Sequence, residues 1–210
     1  MVRDSRYDPG VTYPNRSQAV HDPQVLRAIA HPVRNRILTE LAASGPMRAA
    51  DLARELDLPA NQMSFHLRQL AKYGLVEEDP DAGRDKRDRV WRPVAPDGFS
   101  VNLTDLEKEP GGKAASAVYR QHAAGWGHVV VDAAYADDRR DPKTFRTVTE
   151  QAVRLTVEEA KELAADLDEV VTRWLDRTRG RDPERSTYLW FSVLQPYPGD
   201  RPAPGDGEQD

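Results

Sequence analysis

Two short runs of helical spacing, Ala49, Leu52, Ala53, Leu56 and then Met63, Leu67, Leu70, Ala71, are separated by the break Asp57-Leu58-Pro59. Apolar residues at intervals of three and four mark one buried face on each helix. Two short helices joined by so tight a turn form a helix-turn-helix, and the rest of the chain has to be arranged around that unit. Upstream, Asp22-Pro23 offers an N-cap acid followed by proline at the first helical position, with Val25, Leu26 and Ile29 on one face. Pro32 breaks that helix, and a second, on Val33, Ile37, Leu38 and Leu41, stops at Gly45-Pro46. Downstream, Gly74 suits a left-handed C-cap. Beyond it, Leu75-Val76-Glu77-Glu78, a turn-rich stretch from Asp79 to Asp88, and Arg89-Val90-Trp91-Arg92-Pro93-Val94 read as a β-hairpin with a charged tip. The hairpin is the wing of a winged helix-turn-helix.

Charge distribution points to a partner for this unit. A net charge of −5 over 210 residues argues, taken whole, against a nucleic-acid binder, because phosphate neutralisation supplies most non-specific affinity. From Asp22 to Arg92, however, 12 Lys and Arg stand against 11 Asp and Glu, or +1, which leaves −6 for the remainder. Within the wing, Arg84, Lys86, Arg87, Arg89 and Arg92 fall within nine positions, interleaved with Asp81, Asp85 and Asp88. A solvated loop would show the same interleaving, but next to a helix-turn-helix the cations are candidates for phosphate contact.

The second helix of the motif divides into two faces. With Met63 set at zero and about 100° per residue, Leu67 falls near about 40°, Leu70 near about 340° and Ala71 near about 80°. These four define the core side. Asn61, Phe65, Arg68 and Lys72 fall between about 140° and about 200°, pointing away from it, with Ser64 near about 100°. Asn61 and Gln62 lie in the first turn, which enters a major groove deepest and whose amides pair bidentately with adenine. Phe65 on a polar face would be covered by a thymine methyl, or by a neighbouring subunit or wing. Asn61, Gln62, Ser64 and Phe65 are therefore the expected base contacts, Ser64 being also able to donate to a phosphate. Arg48, Arg68, Lys72, Arg84, Lys86, Arg87 and Arg89 are the expected backbone contacts. His66, near about 300°, reads as a packed structural histidine at the margin of the core.

The runs Leu26-Arg27-Ala28-Ile29-Ala30-His31-Pro32-Val33-Arg34, Asp51-Leu52-Ala53-Arg54-Glu55-Leu56, Met63-Ser64-Phe65-His66-Leu67-Arg68-Gln69-Leu70 and Gly74-Leu75-Val76 occur in this order. Together they resemble the ArsR-type winged-helix transcriptional regulators of bacteria over about residues 22 to 94. The resemblance implies a dimeric, usually repressing DNA-binding protein that answers to a ligand, and it supports Ser64 as a phosphate contact. The chain departs from metal-sensing members of that family: the cysteine pair of such sensors is missing, and no cysteine occurs anywhere. Thiolate metal sensing, disulfides and cysteine nucleophiles are thereby excluded.

After Phe99 the pattern changes. Gly98 and Glu109-Pro110-Gly111-Gly112 read as a linker, and a helix is expected over about Lys113 to Ala136, interrupted in promise by Gly125 and Gly127. Thr147 to Leu155 reads as a strand. Thr156-Val157-Glu158-Glu159 is a capping box that opens an amphipathic helix on Leu163, Leu167, Val170, Val171, Trp174 and Leu175, and Thr187 to Leu194 reads as a second strand. The expected architecture is α+β and mostly α. It comprises a flexible arm over 1–20, a winged helix-turn-helix over 21–98, a smaller α+β dimerisation or effector domain over 99–196, and a disordered tail over 197–210. The aromatic residues of the second domain serve a core and dimer interface, or else an apolar effector pocket built from Tyr119, Trp126, Trp174 and Trp190.

A homodimer is also expected on geometric grounds, since two reading helices about 34 Å apart turn weak half-site contacts into specific binding. No glycine-rich phosphate loop, GxSxG or HExxH motif occurs, so no enzyme is expected and no cofactor is implied. His128 and Asp132, four apart, are a surface hydrogen-bonding pair or a hard-metal pair; no metal site is assigned. No apolar run approaches the roughly 18 to 20 residues that span a bilayer, and the start Met1-Val2-Arg3-Asp4 lacks a signal stretch, so a cytoplasmic protein is expected. The expected partner is double-stranded operator DNA, with a small-molecule effector possible. The competing use of a winged helix is as a protein-interaction module that never touches DNA.

Overall fold

The computed structural model describes residues 17–80, 82, 89–136, 145–180, 182 and 184–197. It opens with a strand that the sequence pattern did not announce: β1 (Gln18–Val20) lies parallel to β5 (Phe99–Val101), Val20 opposite Val101. The flexible arm expected over 1–20 therefore gives up its last three residues. A three-residue strand is too short to show a period, and only its partner 81 residues away reveals it. Residues 1–16 lie outside the described residues.

α1 (Pro23–Ala30) begins as the N-cap signal predicts, the Asp22 carboxylate accepting the Gln24 N–H at 2.7 Å. His31 closes it in extended conformation and opens α2 (Pro32–Ser44), which ends at Gly45 with φ 77°. β2 (Met47–Arg48) leads into α3 (Ala49–Glu55) and α4 (Ala60–Lys72). Gly74 follows at φ 66°, its N–H on the Ala71 carbonyl and the Leu75 N–H on that of Leu70, so a glycine ends the helix as expected. β3 (Val76–Asp79) and β4 (Val90–Pro93) form the wing hairpin, and β2 adds to its other edge in the order β2-β4-β3, all antiparallel. Wing residues 81 and 83–88 lie outside the described residues, and with them Arg84, Lys86 and Arg87.

One core ties these elements together. Leu26, Ile37, Leu41, Leu52, Met63, Leu67 and Leu70 are each fully buried in it. The same core continues past residue 98. α5 (Leu103–Leu106) and the first turns of α6 (Gly112–Tyr135) contribute Leu106, Ala115 and Ser116, all buried, and α6 runs against α1. Glu109-Pro110-Gly111-Gly112 is thus a turn rather than a linker. Gly111 takes φ 80°, and at Gly112 a Cβ would stand 1.8 Å from the Leu106 carbonyl oxygen. Pro and Gly mark a turn equally well when both of its arms are packed.

Beyond that point the regular elements among the described residues are helices, the rest of α6 and α7, and 145–156 and 184–197 are irregular. α7 (Val157–Thr178) opens on the expected capping box: the Thr156 hydroxyl accepts from the Glu159 N–H at 3.2 Å and the Glu159 carboxylate from the Thr156 N–H at 2.7 Å. The strands expected at 147–155 and 187–194 form no ladder among the described residues. β-propensity describes fit to a neighbour, and within one copy neither segment meets an edge. After α7 the chain docks on the winged helix. The Gly180 N–H donates to the Ala43 carbonyl at 3.3 Å, Thr187 donates to the buried Glu40 carboxylate at 3.2 Å, and Arg179 pairs with Asp97 at 2.7 Å. The fold is mostly helical α+β, a winged helix-turn-helix followed by an additional helical region.

Candidate nucleic-acid interface

The turn between α3 and α4 is made at Asp57, the only non-glycine residue with positive φ (52°) among the described residues, with the Leu58 N–H on the Ala53 carbonyl at 2.8 Å. Aspartate tolerates the left-handed region better than most residues, because its short polar side chain bonds locally. The turn aims α4 outward. Met63, Leu67 and Leu70 point down with no exposed surface and Ala71 is half-buried, while Asn61, Gln62, Phe65, Arg68 and Lys72 are exposed and Ser64 is half-exposed. This is the division that the helical arithmetic gives. The Asn61 side-chain oxygen accepts the Gln62 N–H at 2.9 Å, which fixes that amide at the first turn. Phe65 is 51% exposed and stands edge-on to His66, ring centres 5.4 Å apart.

Beside this face lies a cleft of about 390 Å³ lined by Arg48, Ala49, Ala50, Ala60, Ser64, Arg68, Arg89 and Trp91. The start of α3, the first turns of α4 and β4 supply one wall each. Three arginines and a serine therefore line it together with three alanines, whose small side chains leave room for a sugar–phosphate backbone. Arg48, Ser64, Arg68 and Arg89 were expected contacts, and the structure brings them together. Trp91 and the alanines were missed. Their role follows from tertiary proximity, which no sequence period announces.

Two arginines of the wing are held by acids on the neighbouring strand. Arg89 pairs with Glu78 at 2.8 Å, and Arg92 pairs with Glu77 at 2.8 Å, directly opposite in the ladder. Exposed pairs of this kind contribute about 0–1 kcal/mol, so Arg89 can exchange its carboxylate for a phosphate at little cost. Lys72 stands at the far end of α4, its ammonium 5.6 Å from the Tyr73 ring centre and outside the cleft.

His66 is buried and faces His31, ring centres 4.9 Å apart. The Nδ1 atoms of both are buried without a hydrogen-bond partner. Burial lowers the pKa of both; the Arg34 charge adds to this at each, and His66 and His122 add to it at His31. Two neutral rings thus pack between the α1–α2 junction and α4.

The four aromatics expected to line an effector pocket are distributed differently. Tyr119 packs against the winged-helix core, and burial raises its hydroxyl pKa. Trp126, Trp174 and Trp190 are 38%, 55% and 62% exposed, and Trp174 stacks under Arg177 with the guanidinium 4.9 Å from its ring centre. No ring contact joins any two of the four among the described residues. No group of three or more His, Asp or Glu placed to hold a metal occurs among the described residues. No described helix is long and apolar enough to cross a membrane.

A family model described as "Helix-turn-helix domain" matches residues 29–79, from the end of α1 through β3. No curated protein matches the chain. Among solved structures the chain is similar to NMB1585, a MarR family regulator from Neisseria meningitidis, at 20% identity over 73% of this chain and 80% of that one, with a TM-score of 0.28. The matched segment contains the turn at Asp57 and the whole of α4. The chain carries a helix-turn-helix domain over this segment.

Proposed function

We propose that this chain is a bacterial, sequence-specific repressor of the ArsR type, working in the cytoplasm as a homodimer and without enzymatic activity. In this reading α4 lies in the major groove. Asn61, Gln62, Ser64 and Phe65 meet base edges, and Arg48, Arg68, Lys72 and the wing cations Arg84, Lys86, Arg87 and Arg89 hold the phosphates. The supporting observation is the cleft in which Arg48, Arg68, Arg89 and Ser64 converge beside the exposed face of α4. A catalytic site would need a nucleophile and base in the same place; a backbone needs spaced cations and a hydroxyl, which is what lines it.

An effector would act on this unit through Arg179, Gly180 and Thr187, which make contacts with α2 and the loop at Pro96-Asp97. A ligand that moved the end of α7 would pull on α2, the helix on which α4 rests.

A gel-shift titration with duplex DNA from upstream of its own gene, at two salt concentrations, tests the reading. With six or more phosphates neutralised, affinity should fall about 10³-fold or more between 50 and 200 mM salt. Arg68→Ala should weaken all sequences alike, whereas Asn61→Ala or Phe65→Ala should relax preference at one or two base positions. Absence of any shift refutes the repressor. Capture of a protein by the same surface, with only mild salt dependence, would make the unit an interaction module instead.

A further inference from the structure

Large apolar side chains are unevenly exposed. Among the described residues all but Phe65 and Val94, twenty in number, lie from Val118 onward. At half exposure, and with aromatics offering about 150–250 Å² each, they amount to on the order of 1,500 Å² of apolar surface per copy. A soluble monomer carries a largest apolar patch of about 300–600 Å², whereas a standard interface takes about 800 Å² from each partner. The sum, spread over α6, α7 and the segments between and after them, is more than a standard interface takes from one partner.

The backbone raises the same demand. Segments 147–155 and 187–194 are extended and exposed and join no ladder and no backbone–backbone hydrogen bond among the described residues, so their N–H and C=O groups are open to pairing with another strand. In the second segment both alternating faces are apolar, with Tyr188, Trp190 and Leu194 on one and Leu189, Phe191 and Val193 on the other. That pattern belongs to a strand covered on both sides. One ring has a cover within the copy: Phe191 lies on α6 at Gly127, its ring 3.3 Å from where a Cβ would stand, although it is still 45% exposed and Leu189 and Val193 on the same face are 49% and 64% exposed. The other face has none, Trp190 being 62% and Tyr188 60% exposed.

We infer that residues 147–155 and 187–194 are strands of a sheet shared between two copies of this chain, closed over by the exposed faces of α6 at Trp126 and of α7 at Val170 and Trp174. A second copy satisfies both demands at once, because a two-fold interface is self-complementary and each copy brings the strands as well as the covering helices. A lipid surface does not fit, since α7 carries seven carboxylates against three cations and anionic headgroups would repel it. The inference extends the homodimer proposed above by naming its surface, and it does not depend on DNA binding.

The test uses the full chain. Sedimentation should give twice the chain mass at micromolar concentration. Hydrogen exchange should find the amides of 147–155 and 187–194 slowed about 100-fold or more relative to an unstructured chain, with the protection falling on dilution. The double variant Trp190→Asp/Val193→Asp, one charge on each face, should raise the dimer dissociation constant about 100-fold while the α4 amides stay protected. A monomer overturns the inference, as does a dimer whose two segments exchange like free chain. Should the variant unfold, exchange in the unmodified protein decides alone. Loss of the gel shift with mass and protection intact removes the DNA reading and leaves the shared sheet standing.

Discussion

Replacing Gly112 with alanine puts a methyl group 1.8 Å from the Leu106 carbonyl oxygen, 2.8 Å from its carbon and 3.1 Å from the Glu107 Cα. All three are backbone atoms, so no side chain can swing away. Real Cβ atoms essentially never come within 3.0 Å of such a neighbour, so α5 and α6 must separate by more than an ångström. That movement drags Leu106, buried in the winged-helix core, and strains the Glu109 N–H bond to the Leu106 carbonyl and the Gly112 N–H bond to Glu109, now 3.1 and 2.9 Å. Partial withdrawal of a buried leucine costs about 1–2 kcal/mol and each weakened bond about 0.5–1.5 kcal/mol. The better helix propensity of alanine returns at most about 1 kcal/mol. The net expectation is a loss of about 2–3 kcal/mol.

Gly127→Ala is the paired control. It lies in the same helix and gains the same propensity, but its Cβ meets only the edge of the Phe191 ring, at 3.3 Å. That ring can shift, so the expected change lies between about zero and a gain of about 1 kcal/mol. Urea unfolding followed by circular dichroism at fixed protein concentration measures both as shifts in midpoint at constant slope. If Gly112→Ala costs less than about 0.5 kcal/mol, or if both variants lose stability equally, the close approach of α5 and α6 has been misread.

Three further outcomes follow from the interface and its supports. Leu67→Ala removes a fully buried side chain from beneath α4 and should cost about 2–5 kcal/mol, whereas Phe65→Ala on the opposite face should stay within about 0.5 kcal/mol; urea titration separates them, and equal costs would refute the face assignment. His31 and His66 are held neutral by burial, so below the ordinary histidine value of about 6.5 the unfolded chain binds more protons than the folded one. Their contribution to stability is full above about pH 6.5 and is lost as pH falls through the depressed folded values; His31→Gln/His66→Gln should flatten stability measured from pH 7.5 to 5.5, and an unchanged slope would refute the assignment. Arg179 and Asp97 form a half-buried pair, 25% and 19% exposed, so a double-mutant cycle should give a coupling of about 1 kcal/mol; zero coupling would show that the region after α7 is not anchored there.

Sequence pattern carried the winged helix-turn-helix almost whole, because its signals are local and mutually reinforcing: the Asp22 cap, the Pro32 start, the glycines at 45 and 74, and the alternation of buried and exposed residues on α4. It missed β1, β2 and β5 for the converse reason. Strands of two or three residues have no period, and each exists only through a partner far away in the chain. The turn at Glu109 to Gly112 was readable as a break but not as a packed corner, since the decisive fact at Gly112 is the nearness of Leu106, six residues back and on another helix.

The cleft shows the same limit in functional terms. Its arginines could be nominated individually from charge and position, yet only the fold brings Arg48, Arg68 and Arg89 to one cleft with Ala49, Ala50, Ala60 and Trp91. The segments at 147–155 and 187–194 are the instructive failure. Their composition asks for a sheet, and the described residues of one chain supply no strand to complete it. A local preference without a partner in the same copy is what the proposed sheet shared between two copies would satisfy.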